Sequence, residues 1–192
     1  MISINKKAPS FYQTAYCKGE FITVNSSDYQ PEYDIDSIDE HGMMEYTHHG
    51  FWLVLFFYPR DFTFICPTEI KGFQKHEAEF TALNAKVLGV STDSEWSHKA
   101  WFEKDLPEIT YPIIADTTHT MSKDYGVLNE DDGSSDRGLF IIDPTGVVKY
   151  ALVSAGSVGR SVKEVLRVLT ALQSGDLCPM EWEPGEATLG KA

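Results

Sequence analysis

Cysteine is scarce in this chain, three in 192 residues, and Cys17, Cys66 and Cys178 lie far apart. An odd, dispersed set excludes the disulfide framework of a small secreted domain, and no two are spaced to hold zinc. Basic residues are few: 16 Lys and Arg stand against 29 Asp and Glu, a formal charge of −13. So acidic a surface is repelled by nucleic-acid phosphates and by anionic lipid. Long apolar runs are missing. The longest, FWLVLFFY over 51–58, falls far short of the roughly 20 residues that span a bilayer. The opening MISINKKAPSF has no apolar h-region of a signal peptide, so the expected compartment is the cytoplasm. Glycine fingerprints are absent too, both the P-loop and the dinucleotide pattern. Gly89-Val90-Ser91-Thr92-Asp93 lacks the second glycine of a nucleophile elbow. Asp34-Ile35-Asp36 begins like an EF-hand loop, but Ile38 and Asp39 stand at its third-ligand and glycine positions. His48-His49 reads as a solvated loop pair. Nothing in the chain calls for a metal or an organic cofactor.

What is present suits one self-sufficient domain over 1–192. Hydrophobic residues are 42% and charged residues 23%, enough to bury a core without staples. The run 51–58 has the length of a buried strand and is ended by Pro59. A helix is predicted over 67–84, with Pro in its first turn and Ile70, Phe73, Phe80 and Leu83 on its apolar face. Strands follow at 86–91 and 111–115, with a helix capped by Ser94 between them and another over 117–125 stopped by Gly126. Strands 138–142 and 147–152 are joined by the turn Asp143-Pro144-Thr145-Gly146. Ser161 and Glu164 open a last helix as a capping box, with Val162, Val165, Leu166, Leu169 and Leu172 as its stripe. The tail beyond Gly175 is irregular, an arm over about 174–192. Tyr16-Cys17-Lys18-Gly19 is a hairpin turn in which Cys17 is structural. The acidic stretch of about 28–50, with three of the six histidines, reads as an exposed loop insertion. Alternating strands and helices with one late hairpin argue for an α/β three-layer domain on a mixed sheet.

One place invites chemistry. In DFTFICPTE, Cys66 follows a core strand and opens a helix. Its sulfur there meets the positive end of the helix dipole and unpaired N–H groups, which favour the reactive thiolate. The alternative is a small buried core cysteine. Asp61 would oppose activation if it pointed inward. Glu69 occupies the place of the second sulfur in a Cys-x-x-Cys pair, so dithiol exchange within one turn is excluded. Cys178, in CPMEWEPG, sits in a loop where a thiol can meet another sulfur.

Pro59-x-x-x-Thr63-x-x-Cys66, inside FFYPRDFTFICPTEI, resembles the active-site segment of peroxiredoxins. VLGVSTDSEWSHKAW, DYGVL, RGLFIIDPTGVVKY, VGRSVKEVLR and CPMEWEPG extend the resemblance to the typical two-cysteine branch, that of the alkyl hydroperoxide reductase C proteins and the thiol-specific antioxidants. It covers nearly the whole chain apart from the insertion. The resemblance implies a thioredoxin-like three-layer fold with a central mixed sheet and an N-terminal β-hairpin. It also implies a peroxidase for hydrogen peroxide and organic hydroperoxides. Cys66 matches the peroxidatic cysteine, whose thiolate becomes sulfenic acid. Thr63 matches the threonine that hydrogen-bonds substrate and thiolate, and Pro59 the proline that shields the sulfur from water. Arg137 matches the active-site arginine, and Glu69 and Arg160 the ionic pair that orients it. Cys178 matches the resolving cysteine, contributed in this branch by a partner subunit, so a homodimer is implied, with rings of five dimers common in the family. Thioredoxin or a flavoprotein disulfide reductase is the implied electron donor.

The chain departs from its peroxide-sensitive relatives in two places. Between Lys104 and Ile109 it reads KDLPEI, without a Gly-Gly-Leu-Gly insertion, and the 14 residues after Cys178 hold no Tyr-Phe pair. Both elements slow unwinding of the active-site helix, so their absence implies fast disulfide formation and resistance to sulfinic oxidation. The insertion at about 28–50 is longer than the usual link. Two readings from other classes stand beside the peroxidase: a redox-gated holdase chaperone, which would survive Cys66→Ser, and a peroxide sensor that passes its disulfide to a partner protein.

Overall fold

The computed structural model describes residues 2–38 and 40–191, with 33–38 and 44–48 described through their backbone. The chain starts with an antiparallel hairpin, β1 (Tyr12–Cys17) and β2 (Glu20–Asn25). Lys18 and Gly19 close it, both at positive φ (48° and 90°), the handedness that two-residue hairpin loops demand. A short 3₁₀ turn over Ser26–Tyr29 is capped by Asn25.

The acidic insertion is not the plain loop expected from its charge. Its backbone forms β3 (Glu32–Ile38) and β4 (Met44–His48), paired antiparallel as a separate two-stranded sheet with register shifts. The period-two alternation of Tyr33 and Ile35 with acidic neighbours carries that strand signal, and the charge density obscures it.

The main sheet is built on β5 (Trp52–Phe57). After it come α1 (Cys66–Lys75), α2 (Glu77–Ala82), β6 (Ala85–Ser91), α3 (Glu95–Asp105), β7 (Ile113–Ala115), α4 (Thr120–Asp124), β8 (Arg137–Ile142), β9 (Val148–Ser154) and α5 (Val162–Ser174). The seven strands lie in the order β2-β1-β7-β6-β5-β8-β9. β5 is parallel to β6 and antiparallel to β8, so the sheet is mixed. Because β5 is central and covered on both faces, it reads as a continuous apolar run rather than an alternating one. Val54, Phe56 and Tyr58 pack toward α1, α3 and α5, with Ile70, Phe73, Trp101, Val165 and Leu169. Leu53, Leu55 and Phe57 pack on the opposite face with Met121, Tyr125 and Phe140. This is the three-layer thioredoxin-like arrangement with an N-terminal hairpin. Among the described residues no helix is long and apolar enough to cross a membrane.

Local signals place most boundaries. Ser94 accepts from the Ser97 N–H and Ser161 from the Glu164 N–H, each satisfying a first-turn donor. The helix predicted over 67–84 is in fact two. The His76 N–H bonds to the Phe73 carbonyl, tightening the last turn of α1, and α2 restarts from the His76 carbonyl. Gln74 and Glu77 flank the break and both bind Thr110, through its N–H to Gln74 Oε1 at 2.8 Å and its hydroxyl to Glu77 Oε1 at 2.7 Å. This tertiary clamp has no local sequence signal. The helix expected over 117–125 shortens to the five residues of α4 because the Asp116 carboxylate takes the Met121 and Ser122 N–H groups.

Candidate active site

β5 delivers the chain to Pro59, and the segment after it turns back to begin α1 at Cys66. Pro67 follows at the position where a missing N–H costs least. Cys66 is only 1% exposed. Across β5 on the antiparallel neighbour, Arg137 is the first residue of β8 and equally buried, at 3%. Its Nη1 lies 3.5 Å from Cys66 Sγ.

Two further contacts fix that guanidinium. Nε donates to the Gly156 carbonyl at 2.9 Å, and Nη1 donates to Glu69 Oε2 at 2.6 Å. Glu69 lies three residues after Cys66 on α1, on the same buried face. Arg160, just before α5, holds the other side of that carboxylate: its backbone N–H and Nε reach Oε1 at 2.8 Å each, and Nη2 reaches Oε2 at 2.9 Å. Arg160 Nη1 also donates to the Gly138 carbonyl, and the guanidinium lies 5.4 Å from the Phe56 ring centroid. Burial alone would raise the Glu69 carboxyl. The hydrogen bonds and charge of Arg160, with the charge of Arg137 behind them, more than offset it and hold it below the ordinary carboxylate value.

One carboxylate between two guanidiniums leaves a buried excess of positive charge. Uncompensated buried charge is costly. The sulfur of Cys66 is the group beside that excess, so an anion at Sγ, or an oxyanion forming next to it, completes the balance.

Thr63 is half-buried in the segment leading to Cys66, and its hydroxyl donates to the Arg60 carbonyl at 2.9 Å. Pro59 is half-buried at the exit of β5. Cys178 is not brought to Cys66. It lies beyond α5 with its sulfur 3.8 Å from Ser174 Oγ, and all three cysteines are free thiols. Cys17 ends β1, its thiol toward the Thr110 carbonyl and pushed up chiefly by burial. Asp61, whose direction the sequence leaves open, is buried, but its carboxylate is taken by Tyr58, Ser97 and His98. The Gly156 and Gly138 carbonyls that seat the arginines escape sequence reasoning, because a backbone acceptor leaves no residue-type signal. The EF-hand-like run 34–39 and His48 lie outside the residues whose side chains are described. Among the described residues no three His, Cys, Asp or Glu side chains gather as a metal site.

Comparison with known proteins places the chain in a family. A family model described as the AhpC/TSA family matches residues 4–151. Peroxiredoxin prdx-2 of Caenorhabditis elegans is 44% identical over 97% of this chain and 88% of its own length. Peroxiredoxin-2 of Bos taurus is 43% identical over the same shares. Among solved structures, the reduced 2-Cys peroxiredoxin of Plasmodium vivax superposes with a TM-score of 0.83 at 33% identity, covering 96% of this chain and 91% of that one. AhpC of Mycobacterium tuberculosis gives 0.77 at 37% identity, covering 95% and 99%.

Proposed function

The chain belongs to the AhpC/TSA family of peroxiredoxins and is a thiol peroxidase, and from this premise we propose that Cys66 is its reacting sulfur and Cys178 the thiol that resolves it. The observation that carries the reading is the buried sulfur at the start of α1, 3.5 Å from a guanidinium that is itself held on two sides.

In the proposed cycle the Cys66 thiolate attacks the terminal oxygen of a hydroperoxide. An S–O bond forms, the O–O bond breaks, and the departing oxygen takes a proton to leave as water or alcohol. Cys66 becomes sulfenic acid, oxidised by two electrons. Negative charge moves from sulfur to the leaving oxygen during this step, and the Arg137 guanidinium neutralises it without reorganising. The Thr63 hydroxyl spends its proton on the Arg60 carbonyl, which leaves its lone pairs to accept the O–H of the peroxide. Pro59 brings no N–H to compete for that peroxide.

The thiol of Cys178 then displaces hydroxide from the sulfenic acid, forming a disulfide and water. A sulfur 1% exposed must leave its pocket first, so the first turn of α1 unwinds in every cycle. Cys178 comes from a second copy of the chain in this reading, making a homodimer that assembles further into a ring. Thioredoxin or a flavoprotein disulfide reductase supplies the two electrons that restore the thiols. The substrates are hydrogen peroxide and small organic hydroperoxides.

The test is a non-reducing gel after one equivalent of peroxide. Wild type should shift to a covalent dimer and Cys178→Ser should remain a monomer. A disulfide-linked monomer would move resolution within one chain, and a wild type that stays fully reduced would remove Cys66 from its role.

A further inference from the structure

The segment between Pro59 and Cys66 has two tethers: Arg60 reaches Asp132 at the surface, through the Asp132 carbonyl at 2.7 Å, and Asp61 is held in the interior. Asp61 has a side chain only 1% exposed, and four groups meet this residue. Tyr58 donates its hydroxyl to Oδ1 at 2.8 Å, Ser97 donates its hydroxyl to Oδ2 at 2.8 Å, and Nδ1 of His98 lies 2.8 Å from Oδ2. The Asp61 N–H donates to Asp93 Oδ2 at 2.9 Å, and Asp93 is held in turn by Ser91. Ser97 and His98 stand on α3, and Nε2 of His98 faces the Ile114 carbonyl on β7 at 3.3 Å. Burial, then the Asp61 charge, drives the Tyr58 hydroxyl well above the ordinary tyrosine value, so it remains a neutral donor.

The next residue shows what the tether resists. Phe62 takes a left-handed backbone, φ 54°, which is unfavourable for a non-glycine residue and persists only where its surroundings over-determine it. Its ring packs on Trp101 of α3, 5.7 Å between centroids, yet is 54% exposed. Beyond it come Thr63, two more residues, and Cys66. The segment is thus strained at Phe62 and anchored at Asp61, on the α3 side of β5, whereas Arg137 lies on β8. The hydrogen bonds of this cluster stay within it and do not reach the Cys66 sulfur.

Resting on the assignment of Cys66 as the reacting sulfur, we propose that Asp61 is a positioning residue whose anchorage to α3 sets how readily the first turn of α1 opens. Peroxide reacts with the closed form, and the disulfide forms from the open one. Loosening the anchor therefore favours the second step at the expense of the first. A shift of the opening equilibrium by one hydrogen bond to a charged group is large enough to read as a change in rate of tenfold or more.

The experiment follows both steps by stopped-flow in wild type, Asp61→Asn, Ser97→Ala and Tyr58→Phe. Asp61→Asn should form the disulfide about tenfold faster after oxidation. Its reaction with peroxide should be unchanged or slower, never faster. Ser97→Ala and Tyr58→Phe should shift the same way by less, and they decide the matter if Asp61→Asn does not fold. A residue that only stabilises the domain would accelerate neither step. Disulfide formation at the wild-type rate in every folded variant overturns the proposal while leaving Cys66 in its role. A wild type that forms no disulfide overturns that role, and the proposal with it.

Discussion

Cys66 and Arg137 are 71 positions apart in the chain and 3.5 Å apart in space. α1 starts one of them and β8 starts the other, and the antiparallel pairing of β5 with β8 closes the distance. The guanidinium has little freedom, because the Gly156 carbonyl and Glu69 hold two of its nitrogens. A lysine would keep the charge but not a planar fork able to serve sulfur, carboxylate and carbonyl together. Arg137→Lys should therefore lose about 10²–10³ in kcat/KM, the range for removing one preorganised donor at a developing oxyanion. Peroxide consumption with the reductase in excess measures it. A loss below about fivefold would show that a cation suffices there without the planar fork.

Glu69 predicts an acid limb. Removing its charge by Glu69→Gln leaves two buried guanidiniums without their carboxylate, which costs about 3–5 kcal/mol near neutral pH. Its folded-state value is depressed. Its contribution is therefore complete above the ordinary carboxylate value of about 4.3 and is lost as pH falls through the lower folded value. Denaturant unfolding of wild type and Glu69→Gln between pH 7 and about 3 should show the two converging in acid. A gap of constant size down to the lowest pH would mean that the Glu69 charge is not what separates them.

Much of this site is legible in the sequence. Pro67 after a strand-length apolar run marks Cys66 as a helix start, and the alternation of strand runs with helical periods gives the layers. What escapes is whatever depends on residues meeting from afar. Nothing local in RGLFII says that Arg137 turns inward rather than pairing with Asp136. The break at His76 follows from Thr110, which reaches Gln74 and Glu77 from beyond α3. Asp61 is recognisable as a hazard to the thiolate, but not as the partner of His98, since the two meet only when α3 lies against the exit of β5. In 28–50 the conflict is between two local signals. Dense charge argues for a solvated loop, the period-two pattern argues for strands, and backbone pairing decides for the strands.

Gly138 carries a packing prediction. It follows Arg137 on β8, and its carbonyl receives Arg160. A Cβ built there would sit 2.6 Å from Val127 Cγ1 and 3.1 Å from a Phe140 ring carbon. The first distance is a clash with a branched, buried side chain that has little room to retreat. Gly138→Ala should cost about 1–3 kcal/mol, as overpacking does. It should also slow the reaction with peroxide by shifting the strand that carries Arg137. Unaltered thermal stability would show that Val127 yields and that the strand tolerates the methyl.

The direct run from α3 to Pro107, without a glycine insertion, predicts resistance to over-oxidation. In the proposed cycle a sulfenic acid at Cys66 has two fates: a second peroxide takes it to sulfinic acid, or Cys178 takes it to disulfide. The choice depends on how long the first turn of α1 stays wound. Where peroxide-sensitive relatives carry a glycine insertion, α3 here runs through Asp105 and ends at Leu106, followed directly by Pro107. The arm beyond α5 folds back on itself: Asp176 bridges to Lys191 on either side of Cys178, and Trp182 gives its N–H to the Glu186 carbonyl. Without the glycine brace, disulfide formation should outrun the second oxidation even at high peroxide. Mass spectrometry of Cys66 during turnover should find disulfide and little sulfinic acid, and Cys178→Ser should reverse that ratio, because its sulfenic acid has nowhere else to go. Sulfinic acid accumulating in wild type within a few turnovers would show that α1 is braced by some other contact, and the Asp61 anchor to α3 is the first place to look.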